Sequence, residues 1–171
     1  MRIKWVHFPL HPETPQEGRS LEEMFAGRGY DIPKMQAQMR ARMTAEGLPY
    51  GNRKMTFNSR LAQELASWAD TQPGGDAIHD ALFRAYFVDG RNIGDPEVLV
   101  GIAASLGLSA EQARAVIEKR SWKAAVDSDW GRSRQYGITG VPTFVIGNNG
   151  VVGAQPYEVL EQLVRDARAR T

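Results

Sequence analysis

From about residue 20 to residue 136 the chain carries one helix signature after another, while strand signatures flank that run at residues 2–8 and 141–152. The order is β, six helices, β, β and α, which describes a small sheet interrupted by a long helical insertion. At the first end Ile3 and Trp5 alternate with Arg2, Lys4 and His7, the period of a strand with one covered face, and Pro9 and Pro12 end it. Ser20-Leu-Glu-Glu23 is a capping box that opens a short helix closed by Gly27 and Gly29. Residues 31–46 place Ile32, Met35, Met39 and Met43 at helical spacing, a row expected to enter the core, and Gly47 stops them.

Further helices are expected over residues 58–70, with Leu61, Leu65, Trp68 and Ala69 on one face, over residues 77–88, and over residues 96–106. The last has Asp95 as cap, Pro96 where no amide is needed, and Leu99, Ile102, Ala103 and Leu106 inward. Ser109-Ala-Glu-Gln112 opens the next, and residues 122–136 continue the helical texture. Beyond Gly137 the pattern becomes strand, Gly-Asn turn and strand, a hairpin. Pro156 then starts a helix with Val159, Leu160, Leu163, Val164 and Ala167 inward.

Composition narrows the chemistry. The 171 residues include no cysteine, which removes disulfides, thiol nucleophiles and thiolate metal sites together. Twenty-one Lys and Arg against twenty Asp and Glu leave a net charge of +1, no global field for nucleic acid or an anionic membrane. The longest mainly apolar stretch, residues 98–108, falls far short of the ~20 residues of a bilayer span. The opening residues lack a secretory signal, so a cytoplasmic protein is expected.

His7, His11 and His79 show no zinc-ligand spacing on a shared helix, so no metal site is expected, and nothing calls for a cofactor. No Gly-x-Ser-x-Gly elbow occurs. Gly147, Gly150 and Gly153 lie between two strands, where a hairpin rather than a phosphate loop is expected. Arg132 and Arg134 beside Trp130 and Tyr136 read as a solvated helix face. The local oddity is Gly140-Val141-Pro142-Thr143, where a proline opens a strand. By itself it fits either a plain strand-initiating proline or a cis peptide bond.

Residues 137–146, Gly-Ile-Thr-Gly-Val-Pro-Thr-Phe-Val-Ile, followed by Val152-Gly-Ala-Gln-Pro156, resemble the end of a DsbA-family thioredoxin-like domain of the FrnE-like branch. Residues 5–15, Trp-Val-His-Phe-Pro-Leu-His-Pro-Glu-Thr-Pro, with Glu17-Gly18, resemble that branch's second strand and following loop. Residues 89–98, Asp-Gly-Arg-Asn-Ile-Gly-Asp-Pro-Glu-Val, resemble a segment of its helical insertion. The resemblance implies an α/β, thioredoxin-like fold whose sheet domain comprises residues 1–19 and 131–171, with an insertion domain over residues 20–130.

It further implies that Val141-Pro142 is the cis-proline loop, with Gly140, Val141, Pro142 and Thr143 binding an extended protein or peptide substrate through the Val141 carbonyl and amide. The family's first strand, Cys-x-x-Cys and first helix have no counterpart here, so no catalytic residue is expected. A chain that is a fragment of a longer oxidoreductase is the favoured expectation, with no dithiol activity of its own. Two alternatives stand beside it. One is a relative of 2-hydroxychromene-2-carboxylate isomerase and kappa-class glutathione transferase, with glutathione as ligand; the other is a redox-dead peptide-binding module, for which a strand-swapped homodimer is a natural state.

Overall fold

The computed structural model describes residues 3–169, which divide into two compact units: residues 11–127, and residues 3–10 together with 128–169. The first is helical. Its elements are β1 (Arg19–Ser20), α1 (Leu21–Phe25), α2 (Ile32–Ala45), β2 (Met55–Thr56), α3 (Arg60–Ala69), a 3-10 turn (Gly75–Ala77), α4 (Ile78–Phe87), α5 (Pro96–Ser105), α6 (Ala110–Lys119) and the start of α7 (Lys123–Gln135). No helix among the described residues is long and apolar enough to cross a membrane.

Side-chain caps form at several helix starts. Ser20 accepts from the Glu23 amide while the Glu23 carboxylate accepts from the Ser20 amide, the complete capping box. The side chains of Asp31, Asp95 and Ser109 each accept an amide at the starts of α2, α5 and α6. Burial of one apolar stripe per helix then assembles the core: Leu65 and Trp68 of α3, Ile78 and Leu82 of α4, Leu99 and Ile102 of α5, Val116 and Ile117 of α6.

Within this core Glu64 of α3 is fully buried and bound twice over. It accepts from Arg60 Nε at 2.7 Å and from Arg120 Nε and a terminal nitrogen at 2.8 and 2.7 Å, while Arg60 also meets Asp127 at 2.7 Å. Burial by itself would raise the Glu64 pKa; the hydrogen bonds and charges of Arg120 and Arg60 override it and hold the carboxyl below its usual range. Arg120, at φ +51°, closes α6 in the left-handed conformation.

Two expectations require correction, and one short ladder was not foreseen. Residues 3–9 form no strand, and Arg2 lies outside the described residues. A strand needs a partner ladder; here the His7 amide instead donates to the Asp129 carboxylate at 3.0 Å, and Ile3, Trp5 and Val6 stay exposed. The methionine row does not enter the core, since α2 buries none of its residues and Met35 and Met39 are exposed. Helical spacing fixes which residues share a face but not whether another element covers it. Finally, residues 19–20 pair antiparallel with residues 55–56, a two-residue ladder too short to leave a periodic signature.

In the second unit Gly137, just past the end of α7, closes the helix: its φ of +64° lets its amide donate to the Arg134 carbonyl and the Ile138 amide to that of Ser133. The hairpin of β3 (Thr143–Ile146) and β4 (Asn149–Val152) follows, pairing Thr143 with Val152 and Ile146 with Asn149 across a two-residue loop. Last comes α8 (Tyr157–Arg168), which packs on both strands but buries only Leu163; Val159, expected inward, is exposed.

Candidate functional site

The segment that joins α7 to β3 brings Gly140, Val141, Pro142 and Thr143 together as a short bend at the entrance of the hairpin. The Val141–Pro142 peptide bond is cis. The Pro142 carbonyl accepts from the Gly153 amide at 2.7 Å, which continues the hairpin pairing one step past Thr143 and Val152. Thr143 Oγ1 donates to the Gly140 carbonyl at 2.7 Å, so this hydroxyl stiffens the turn from within.

Between those two anchors Val141 is exposed, and among the described residues neither its amide nor its carbonyl has a hydrogen-bond partner. An unpaired donor and acceptor on an exposed residue form the smallest unit that can accept one residue of an added strand. Space is available, because a Cβ placed on Gly140 would meet no atom within 4 Å. The site is an edge rather than a cavity. A polar cleft of about 410 Å³ beside α7, lined by Lys4, Asp129, Arg132 and Gln135 among others, includes none of the four residues.

No group of His, Cys, Asp or Glu among the described residues is placed to hold a metal ion. His79 is buried against Asp70, with Nε2 2.8 Å from the carboxylate, and His11 faces Glu13.

The DSBA-like thioredoxin domain family matches this sequence over residues 1–165. The chain belongs to that family. Its fold is correspondingly thioredoxin-like α/β, rich in helix with small sheets. As a DSBA-like chain it is similar to the probable DsbA oxidoreductase SCO1869 of Streptomyces coelicolor, at 33% identity and a TM-score of 0.85, over 95% of this chain and 73% of that one. The fold is also that of 2-hydroxychromene-2-carboxylate isomerase, with a TM-score of 0.66 at 14% identity, covering 81% of this chain and 66% of the isomerase. In sequence it is 28% identical over 111 residues to the uncharacterized protein YwbO of Bacillus subtilis, across 64% of this chain and 56% of YwbO. The match thus spans little more than half the length of that relative.

Several residues that organise this DSBA-like chain escaped sequence reasoning. Asn58 Nδ2 donates to the carbonyls of Pro12 and Thr14, and its oxygen accepts from the Arg60 amide at the start of α3. Asn92 Nδ2 donates to the Gln16 carbonyl while its oxygen accepts from the Gly94 amide, and Gln16 Nε2 reaches back to the Gly94 carbonyl. Together the two asparagines clamp the loop over residues 12–16. The family segment at residues 89–98 thereby acquires a physical role, though an isolated Asn in sequence signals only turn chemistry.

Proposed function

We propose that these 171 residues form a peptide-docking element of the DSBA-like family that carries out no thiol–disulfide exchange of its own. Exchange requires a thiolate that attacks a disulfide sulfur, and the chain has no cysteine. What it retains is the edge at residues 140–143. The observation that carries the reading is the unpartnered amide and carbonyl of exposed Val141, held between the Thr143–Gly140 and Gly153–Pro142 hydrogen bonds.

An extended client segment would lie along this edge, donating to the Val141 carbonyl and accepting from its amide as one rung of an added strand. Such main-chain pairing is indifferent to the client's side chains, which suits an unfolded protein as partner, and the near-zero net charge adds no selection for acidic or basic segments. The setting we assign is the cytoplasm.

Residue-resolved amide exchange tests this directly, with reduced and alkylated insulin B chain as the unfolded client. Saturating peptide should slow exchange at Val141 several-fold, and the pure protein should show no turnover in insulin reduction. Binding that leaves the Val141 amide untouched would remove the docking reading; measurable reduction by pure protein would remove the redox-inactive one.

A further inference from the structure

Three successive backbone carbonyls adjoin the docking edge, those of Gly140, Val141 and Pro142, and they differ in what they meet. The Pro142 carbonyl accepts from the Gly153 amide at 2.7 Å, and the Gly140 carbonyl accepts from Thr143 Oγ1, also at 2.7 Å. Of the three, the Val141 carbonyl is left for a client, and Pro142 has no amide to compete with that of Val141. The acceptor that a client meets is thus selected by what occupies the other two.

The two occupants are not equivalent. The Gly153 bond continues the backbone ladder that pairs Thr143 with Val152, so it does not call on a side chain. The Gly140 bond depends on one hydroxyl. Glycine has the freest backbone of any residue, and a Cβ built on Gly140 would meet no atom within 4 Å, so packing does not hold it. Among the described residues the Gly140 carbonyl has no other donor. Thr143, by contrast, is anchored: its backbone opens β3, and a β-branched side chain has few rotamers.

We propose that Thr143 is the positioning residue for client docking: by holding the Gly140 carbonyl, its hydroxyl fixes the bend that presents Val141 and leaves the Val141 carbonyl as the free acceptor. Thr143 touches no client and acts through Gly140. The inference rests on the docking reading for its consequence and on the Thr143–Gly140 contact for its geometry. Removing the hydroxyl frees Gly140, so binding must also order the bend. It also uncovers a second acceptor beside Val141, to which a client can pair out of register. Both effects weaken docking while every group that the client pairs with stays in place.

Thr143→Val keeps the branched shape and the strand preference but cannot donate, whereas Thr143→Ser keeps the donor and loses the methyl. With reduced and alkylated insulin B chain as probe, calorimetry should find Thr143→Val weaker than wild type by about 3- to 10-fold, the loss of one neutral hydrogen bond, and Thr143→Ser within about twofold of wild type. Protection of the Val141 amide by the peptide should fall in Thr143→Val and return in Thr143→Ser. Without peptide, amide nitrogen relaxation should show Gly140 and Val141 ordered in wild type and Thr143→Ser, and mobile in Thr143→Val. Urea denaturation of each variant separates loss of positioning from loss of fold. Equal affinity of Thr143→Val and wild type, a Ser variant no tighter than the Val variant, or unchanged amide order in Thr143→Val would each overturn the proposal. Wild type that ignores the peptide while the relaxation contrast persists would remove the docking reading and still support Thr143 as the residue that orders the bend.

Discussion

Replacing Glu64 by Gln removes one negative charge from a site where two guanidiniums converge, with almost no change in shape. In the native protein the Glu64 side chain is wholly inaccessible and accepts three bonds at 2.7–2.8 Å, one from Arg60 and two from Arg120. Charge-assisted hydrogen bonds contribute roughly 1.5–3 kcal/mol each, a gross loss of about 4.5–9 kcal/mol if all three failed outright. Two effects reduce that. Arg60 keeps Asp127, and Arg120, with 41% of its side chain exposed, regains water. The expected net loss is then about 3–5 kcal/mol, typical of removing one member of a buried ion pair. At about 2–4 °C per kcal/mol for a chain of this size, the melting temperature should fall by roughly 6–20 °C.

The sign of the pH dependence follows from the same contacts. The folded pKa of Glu64 is lowered relative to the unfolded chain, so its contribution is fully present above the unfolded value of about 4.3 and is lost as pH falls through the folded pKa. Urea denaturation of the wild type and Glu64→Gln at neutral and acid pH measures both quantities. The variant should lose its share of the acid-side slope, and the two proteins should converge in stability as pH falls. A loss below about 1 kcal/mol at neutral pH, with an unchanged slope, would show that the triad is screened like a surface pair and would refute the reasoning.

Gly75→Ala should destabilise by about 1–3 kcal/mol or more, because a Cβ there would sit 1.8 Å from the Ala69 carbonyl oxygen. Gly131→Ala, in α7 with nothing nearer than 3.9 Å, should instead stabilise by about 0.4–1 kcal/mol; thermal melts of the pair check both signs. Asn58→Ala releases the Pro12 and Thr14 carbonyls and should cost about 1–3 kcal/mol, with faster amide exchange in the loop from residue 11 to residue 18 as the readout. Met35→Gln with Met39→Gln, at exposed positions of α2, should change the denaturation free energy by less than about 0.5 kcal/mol, where core methionines would cost several times more.

Local chemistry made much of the helical unit readable. Ser20 with Glu23, Asp31, Asp95 with Pro96, and Ser109 each satisfy otherwise unpaired amides from within a few residues, so the information that starts those helices lies in the same few residues. The inward stripe of α3 and the hairpin turn at Gly147-Asn148 are local in the same sense. Glu64 shows the limit. In sequence it is an unremarkable acidic residue of an amphipathic helix; its burial depends on Arg120, 56 positions away, arriving from the end of α6.

The absence of cysteine, the caps and the helical spacing belong to the sequence itself, because each is complete within a composition or a window of a few residues. Tertiary structure alone decided that residues 3–9 find a carboxylate on α7 instead of a strand partner, that the methionine row of α2 stays in solvent, and that Val141 keeps an open amide and carbonyl. Alternation and periodicity say which side chains travel together. Whether a backbone pairs, or a face is covered, depends on distant parts of the chain meeting it, and that is a property of three-dimensional packing.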